Sequence, residues 1–132
     1  MTMLSASERK FVEANELCRL ATTDENSQPH VVPVAYIYYN NKFYIATDLG
    51  TRKLANIRRN NKVALVIDKT NPNRAVMVQG LATILLSGEE YRTIYRIFYD
   101  RFAWVRRDPW QEGEAAFIAV EPRKVVSWGL RQ

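Results

Sequence analysis

Hydrophobic positions along the chain fall mostly into short runs of β-forming residues, separated by clusters of Gly, Asn, Asp and Pro. One connection, Asn40-Asn41, has only two residues, both of a type that tolerates the positive φ angles of a tight turn. The runs predict consecutive strands at residues 18–23, 30–39, 43–47, 62–68, 74–86, 115–120 and 124–128. The pattern therefore predicts a mainly β fold of six or seven strands with short α-helices.

Three segments carry the sequence signals of helices. Residues 5–8 form a capping box, which predicts a short first helix. Residues 51–60 predict a second helix with Thr51 as its N-cap. Residues 87–90 form a second capping box, which predicts the start of a long helix that runs to about Arg101. The side chains expected to face the core from these helices are Phe11, Val12, Leu54, Ile57, Tyr91, Ile94, Tyr95, Phe98 and Phe102.

The strand predicted at residues 30–39 is apolar or aromatic on both faces. One face would carry Val32, Val34, Tyr36 and Tyr38, and the other Val31, Pro33, Ala35, Ile37 and Tyr39. In an antiparallel sheet one face is normally exposed to water. One apolar face of this strand fits a barrel interior, and the other must be covered by something that packs against it. That cover could be a helix, a flat ligand or a second subunit, and the last choice predicts a homodimer.

Length and composition fit one domain spanning residues 1–132, with 47% hydrophobic residues. No apolar run approaches the roughly 20 residues that cross a bilayer, and the N-terminal segment is polar. We therefore expect a cytoplasmic protein with no membrane contact. Cys18 and His30 are the only residues of their types, which disfavours a disulfide within the chain and a cysteine- or histidine-based metal centre.

The formal charge of +5 favours anionic partners, such as a phosphorylated cofactor, an acidic metabolite or nucleic acid. Arg101, Arg106 and Arg107 alternate with Phe102 and Trp104, a composition typical of nucleic-acid surfaces. A basic rim around an anionic cofactor or substrate explains the same residues equally well. A nucleic-acid-binding barrel stays an alternative, although nucleic acid is not the partner that we expect.

Residues 47–53 have the physical features of an anion site. Thr51 at the N-cap leaves first-turn amides pointing outward, and Arg52 and Lys53 add two positive charges, while Gly50 would permit a tight turn. An ordinary helix start with a solvated basic pair is the other interpretation. His30 has no neighbouring nucleophile, and neither a Gly-x-Gly-x-x-Gly motif nor a P-loop occurs, so cofactor-assisted chemistry is favoured.

Three segments, in order, resemble the pyridoxamine phosphate oxidase family. Residues 43–53 are similar to its aromatic strand, threonine and Asn-Leu-Gly-Ser-Arg-Lys sequence. Residues 60–65 are similar to its Asn-Asn-Pro-Arg-Val-Ser-Leu stretch, and residues 74–80 to its Arg-Gln-Val-x-Val-x-Gly strand. The similarity extends over roughly residues 20–86, and it implies an antiparallel FMN-binding split β-barrel that dimerises with the cofactor at the subunit interface.

The resemblance also implies a set of FMN contacts. Arg52 and Lys53 would hold the phosphate with support from Thr51, while Ala46 and Thr47 would line the flavin. The strand along the isoalloxazine ring would comprise His30, Val31, Val32, Pro33 and Val34.

Several positions depart from the family pattern. The family commonly has arginine at His30, and at Ala75 it has a glutamine that reaches FMN across the dimer, a role that Gln79 could take over. Trp128 is expected at the subunit interface beside the cofactor. The family's vitamin-forming oxidases have longer terminal segments, so this shorter chain is more similar to FMN or deazaflavin split-barrel reductases.

The leading expectation is an FMN-dependent oxidoreductase that takes electrons from a reduced nicotinamide and passes them to a small substrate or to oxygen. A deazaflavin-dependent reductase of the same fold is one alternative. A non-catalytic protein that stores or senses a flavin is another.

Overall fold

The computed structural model describes residues 3–130. Its elements follow in the order α1 (Ala6–Glu13), β1 (Leu17–Thr23), β2 (Pro29–Tyr39), β3 (Lys42–Asp48), α2 (Arg52–Arg59), β4 (Lys62–Thr70), β5 (Asn73–Leu85), α3 (Glu89–Arg101), α4 (Ala103–Arg107) and β6 (Ala115–Trp128). The six strands form one closed barrel in the order β1-β2-β3-β6-β5-β4, and all neighbours are antiparallel. The prediction of a mainly β antiparallel barrel with short helices is confirmed.

The last strand is continuous, whereas the sequence predicted two strands there. Gln79 lies opposite Lys124 and Gly80 lies opposite Pro122, so Arg123 is an extra residue in the β5–β6 ladder. This bulge lets β6 pass Pro122, which has no N–H to give to the ladder, without ending. A Cβ on Gly80 would lie 2.4 Å from the carbonyl oxygen of Glu121, so the strands approach closely only because residue 80 is glycine.

Two hydrophobic clusters cover the two faces of the sheet. One fills the barrel and includes Leu20, Tyr36, Ile45, Leu65, Val78 and Ile118. The other lies between the outer face and α3, and includes Ile37, Tyr44, Phe98 and Phe117. The second face of β2 is therefore covered by a helix around Ile37, but Val31 and Pro33 further along that face are exposed.

The first two helices pack against different ends of the barrel. Near the β2–β3 turn, Tyr36 donates its hydroxyl hydrogen to the carbonyl of Val12 in α1. Near the β1–β2 turn, the Asn56 side chain of α2 donates to the Thr22 hydroxyl over 2.9 Å. Leu54 and Ile57 of α2 are buried in the barrel cluster, as their spacing predicted. The start of α2 is thus fixed beside the β1–β2 turn.

The capping box predicted at residues 5–8 is confirmed, but the one predicted at residues 87–90 is wrong. The N-cap of α3 is Gly88, at φ 105°, and no side chain of the helix start caps it. Instead, the Glu112 carboxylate accepts the Gly88 N–H over 2.7 Å and pairs with Arg92. The predicted end of the helix at Arg101 is confirmed. Within residues 3–130, no helix is both long and apolar enough to cross a membrane.

Candidate functional site

The barrel splits between β2 and β3. These two strands pair only from Tyr36 opposite Ile45 to Tyr39 opposite Lys42. Beyond that point β2 pairs with β1 and β3 pairs with β6, so the two strands diverge. Residues 30–34 and 46–48 therefore lie on the two sides of the split, at the end of the barrel where α2 begins.

Two threonines connect the end of β3 to the start of α2. The Thr47 and Thr51 hydroxyl oxygens are 3.0 Å apart, and Thr47 is buried. Thr51 is the N-cap as predicted, but its side chain makes no capping hydrogen bond. The first N–H groups of a helix lack partners inside the helix, so they remain available to an anion at this end of α2.

Gly50 lies in the turn that joins β3 to α2, where the sequence predicted a turn. Its φ is not positive, and a Cβ there would have no atom within 4 Å. The connection between β3 and α2 therefore needs no glycine for its backbone. It instead leaves open space beside the first turn of α2.

A cavity of about 260 Å³ lies at this connection. It brings Ala46, Thr47, Thr51 and Lys53 together, as the resemblance implied, and adds residues that the sequence did not assign to the site. The full lining is Ala46, Thr47, Asp48, Thr51, Lys53, Trp104, Trp110 and Ala115.

Trp104 and Trp110 form one wall of this cavity. Their ring centroids are 6.5 Å apart with planes 19° from parallel, and Trp104 is 39% exposed. Trp110 donates its indole N–H to the Tyr91 hydroxyl, which fixes the ring against α3. The sequence shows that these two positions are aromatic, but it does not predict that they lie at the cavity, because the packing that brings α4 to β3 involves residues more than 50 positions apart.

The two basic residues of the segment face different carboxylates. Lys53 is partly buried beside the cavity, and this burial lowers its pKa below 10.5, while the nearby Asp48 carboxylate acts in the opposite direction. Arg52 is exposed and does not line the cavity. It lies close enough to Asp24, in the β1–β2 turn, to help the Gln28 and Asn26 amides lower the pKa of that carboxyl.

On the other side of the split, the structure places His30 at the level of the first turns of α2. His30 lies opposite Thr22 in the β1–β2 ladder, and Thr22 is hydrogen-bonded to Asn56, one turn after Arg52. The His30 Nδ1 atom is buried, and it has no hydrogen-bond partner among the described residues. Buried polar atoms are rarely left unpartnered, so this atom is a candidate ligand contact.

The remaining predicted residues do not join this site within one chain. Gln79 is exposed and lines a separate cavity of about 480 Å³ with Lys62 and Lys124. Trp128 is 44% exposed and lies opposite the buried Ala75 in the β5–β6 ladder. Four residues along a strand span about 13 Å, so Gln79 does not occupy the place of residue 75. Contact of Gln79 or Trp128 with a cofactor in another subunit stays a prediction.

Comparison with known proteins agrees with the fold. The architecture is that of the FMN-binding split β-barrel fold. Residues 4–129 match the profile of the pyridoxamine 5'-phosphate oxidase family. The chain belongs to this family, as its motifs predicted.

Individual proteins that are similar to this chain are named for different functions. Over 129 residues the chain is 30% identical to a 5a,11a-dehydrotetracycline/5a,11a-dehydrooxytetracycline reductase of Streptomyces rimosus, covering 91% of this chain and 79% of that protein. The structure of HutZ, a heme storage protein from Vibrio cholerae, has a TM-score of 0.80 at 13% identity, covering 98% and 96% of the two chains. A structure of an F420 reductase has a TM-score of 0.73 at 19% identity, covering 93% and 98%. These two structural likenesses show the shared fold only.

Proposed function

We propose that the protein is an oxidoreductase that holds a flavin-type cofactor, FMN or a deazaflavin, by a phosphate at residues 47–53. The observation that carries this proposal is the convergence of two threonine hydroxyls, a partly buried lysine and a helix N-terminus on one cavity. Family membership supports the cofactor class, and the reductase named among the relatives supports the reaction class.

Each residue of the cavity would contribute differently to binding a phosphate. Lys53 supplies a charge-assisted hydrogen bond, and its partial burial makes that bond stronger than one made in water. The Thr47 and Thr51 hydroxyls are hydrogen-bonded to each other, which uses the proton of one of them, so only the proton of the other is available to a phosphate oxygen. The amides at the start of α2 complete the anion site, and Arg52 raises the potential from the rim.

The ring system would lie along the split, beside residues 30–34. Here the backbone of β2 runs without a β3 partner, and the unpartnered His30 Nδ1 atom could hydrogen-bond the ring. When bound, the cofactor supplies the two-electron chemistry, and reduced nicotinamide is the proposed donor. The chain's own contribution is to orient the ring and to limit water on the side of Trp104 and Trp110.

We further propose that a second copy of this chain covers the outer face of the sheet. One row across four strands consists of Arg19, Val66, Met77 and Val126, with Pro33 beside it on β2. Val31 and Trp128 lie on neighbouring rows and are exposed. Apart from Arg19, which pairs with Asp68, these residues are apolar, and apolar side chains aligned across neighbouring strands are typical of a subunit interface. A dimer built on this surface would bring Trp128 toward the cofactor of the other subunit.

An absorption spectrum of the purified protein tests the proposal first, followed by titration with FMN and with the deazaflavin F420. The expected result is a flavin or deazaflavin band, or saturable binding of one of them, and reduction of the bound cofactor by NADH or NADPH. A haem Soret band with no flavin binding would overturn the cofactor class. Binding of a cofactor that neither nicotinamide reduces would overturn the proposed electron donor and favour a non-catalytic flavin-binding protein.

A further inference from the structure

The cavity of about 480 Å³ that contains Gln79 lies on the outer face of the barrel, at the end where β4 begins. Its lining comes from β1, β4, β5 and β6 and from the first residue of β2. It shares no lining residue with the cavity at the start of α2. The two cavities are therefore separate sites.

The charged side chains that line this cavity are all positive. Lys62, Arg123 and Lys124 line it, and its lining within residues 3–130 includes no aspartate or glutamate. Glu121 does not line the cavity, but its carboxylate accepts a hydrogen bond from the Arg123 Nε atom over 3.0 Å, which orients that guanidinium. Cations that converge on a cavity repel one another, so a bound anion would relieve this repulsion.

The bulge in the β5–β6 ladder brings two of these cations together. Consecutive residues of a regular strand point to opposite faces of the sheet. Arg123 is the extra residue of the bulge, and both it and the next residue, Lys124, line the cavity. Gly80 lines the cavity at the same point, where a Cβ would meet the Glu121 carbonyl oxygen. Since bulges commonly re-aim side chains beside functional sites, this one accounts for the second cation contributed by β6.

The remaining lining suits an organic molecule rather than a free inorganic ion. Ala21, Ala64 and Leu81 provide apolar surface between the basic side chains. Gln79 lies opposite Ala64 and adds an exposed amide that can donate and accept hydrogen bonds. Small-molecule pockets have volumes of about 300–1,000 Å³ and combine apolar walls with a few polar groups, as this cavity does.

We propose that this cavity binds a phosphate monoester carried by a small organic molecule, with the phosphate among Lys62, Arg123 and Lys124. A phosphate monoester loses its second proton with a pKa of about 6, so it brings two negative charges at neutral pH. The organic part would pack against the apolar lining. Two sources share this chemistry: a free phosphorylated metabolite, and the 2′-phosphate that distinguishes NADPH from NADH. The inference does not require that a flavin is bound.

Two pairs of ligands test the inference, and the members of each pair differ by one phosphate monoester. One pair is AMP and adenosine, and the other is NADPH and NADH. Dissociation constants are measured by isothermal titration calorimetry for the wild-type protein and for Lys62→Gln/Lys124→Gln. Both lysines are exposed, so the variant is expected to keep the thermal unfolding midpoint of the wild-type protein.

Two control variants locate the effect. Lys10→Gln/Lys69→Gln removes the same charge from exposed lysines outside the cavity, and Lys69 lies on the same strand as Lys62. Arg52→Ala/Lys53→Ala removes the same charge from the proposed cofactor site.

The wild-type protein is expected to bind the phosphorylated member of at least one pair about 10-fold more tightly than the other member. Lys62→Gln/Lys124→Gln should reduce this preference to about threefold or less and leave the affinity for FMN and F420 unchanged. Both controls should keep the preference. A preference in the AMP pair identifies a free phosphate monoester as the ligand, whereas a preference in the NADPH pair alone identifies the electron donor.

Equal affinities within both pairs, or a preference that Lys62→Gln/Lys124→Gln retains, would overturn the inference. A preference lost in Arg52→Ala/Lys53→Ala instead would place the phosphate at the start of α2 and would also overturn it. Binding of FMN and F420 is measured separately in the same variants. Failure of the proposed function would therefore appear as absence of binding of both cofactors, whatever the two ligand pairs show.

Discussion

The hydroxyl oxygens of Thr47 and Thr51 lie 3.0 Å apart and connect the last residues of β3 to the first turn of α2. Since Thr47 is held in the β3–β6 ladder, this contact fixes where the helix begins relative to the barrel. The amides at the start of α2 and the Lys53 side chain are positioned by the same connection. This side-chain pair and the Asn56–Thr22 hydrogen bond thus set the geometry of the proposed phosphate site together.

Thr51→Val should therefore weaken cofactor binding more than it weakens the fold. Valine keeps the shape but removes one neutral hydrogen bond, worth about 0.5–1.5 kcal/mol, so the dissociation constant should rise about 3- to 10-fold. The free energy of unfolding should fall by no more than about 1.5 kcal/mol. Thr83→Val, at an exposed position of β5, is the matched control and should change neither quantity. Equal cofactor affinity in Thr51→Val and the wild-type protein would argue against the role of this hydroxyl.

Lys53 should lower the free energy of unfolding of the cofactor-free protein. Burial lowers its pKa below 10.5, so the unfolded chain binds this proton more tightly than the folded protein does. The penalty is present in full at neutral pH and disappears as the pH rises past 10.5. Lys53→Met should thus increase the free energy of unfolding at pH 7, and the gain should shrink toward pH 10.5.

Urea unfolding at several pH values measures this effect. Lys10→Met, an exposed lysine on α1, is the control and should give no pH-dependent gain. A Lys53→Met variant that is less stable than the wild-type protein at pH 7 would show that the lysine stabilises the fold, contrary to this account.

The outer row of the sheet should hold two subunits together. Val126 is 39% exposed on this row, and Leu86, 44% exposed after the end of β5, is a matched apolar side chain outside it. Val126→Glu places a charge in the proposed interface and should convert a dimer to a monomer in sedimentation velocity. Leu86→Glu should leave the dimer intact. A monomeric wild-type protein, or a dimeric Val126→Glu variant, would contradict the proposed interface.

Two glycines should respond oppositely to alanine. Gly80→Ala brings a Cβ to 2.4 Å from the Glu121 carbonyl oxygen, so the β5–β6 ladder must open at the bulge. A loss of about 1–3 kcal/mol in the free energy of unfolding is expected from such overpacking. Gly50→Ala meets no neighbouring atom and should be neutral or slightly stabilising. Thermal unfolding of the two variants checks both expectations, and equal midpoints would contradict them.

Local patterns predicted most of the secondary structure because they depend on neighbouring residues. The Ser5–Glu8 capping box and the inward spacing of Leu54 and Ile57 require only a few consecutive positions, and both predictions are confirmed. The capping box predicted at residues 87–90 does not form, because the carboxylate of Glu112, 24 positions after Gly88, accepts the Gly88 N–H instead. Spacing within a segment carries no information about such a competitor.

The candidate site was predicted only in part for the same reason. The segment from Thr47 to Lys53 is continuous in sequence, and four of its seven residues, Thr47, Asp48, Thr51 and Lys53, line one cavity. Trp104 and Trp110 reach that cavity through the packing of α3 on the barrel, which no motif records. Family resemblance supplied the cofactor class, whereas the placement of Lys53 and the two tryptophans around one cavity required three-dimensional structure.

The central claim, a cofactor phosphate held at the start of α2, is tested most directly by paired substitutions on that helix. Arg52→Ala/Lys53→Ala removes the proposed contact of Lys53 with the phosphate and the charge of Arg52 at the rim of the cavity, and Arg58→Ala/Arg59→Ala removes the same charge from the last turn. Equilibrium titration with FMN and F420 is the measurement. The account predicts at least about 10-fold weaker binding in the first variant, since charge-assisted bonds are worth about 1.5–3 kcal/mol each, and little change in the second. Unchanged affinity in Arg52→Ala/Lys53→Ala, or equal losses in the two variants, would contradict it.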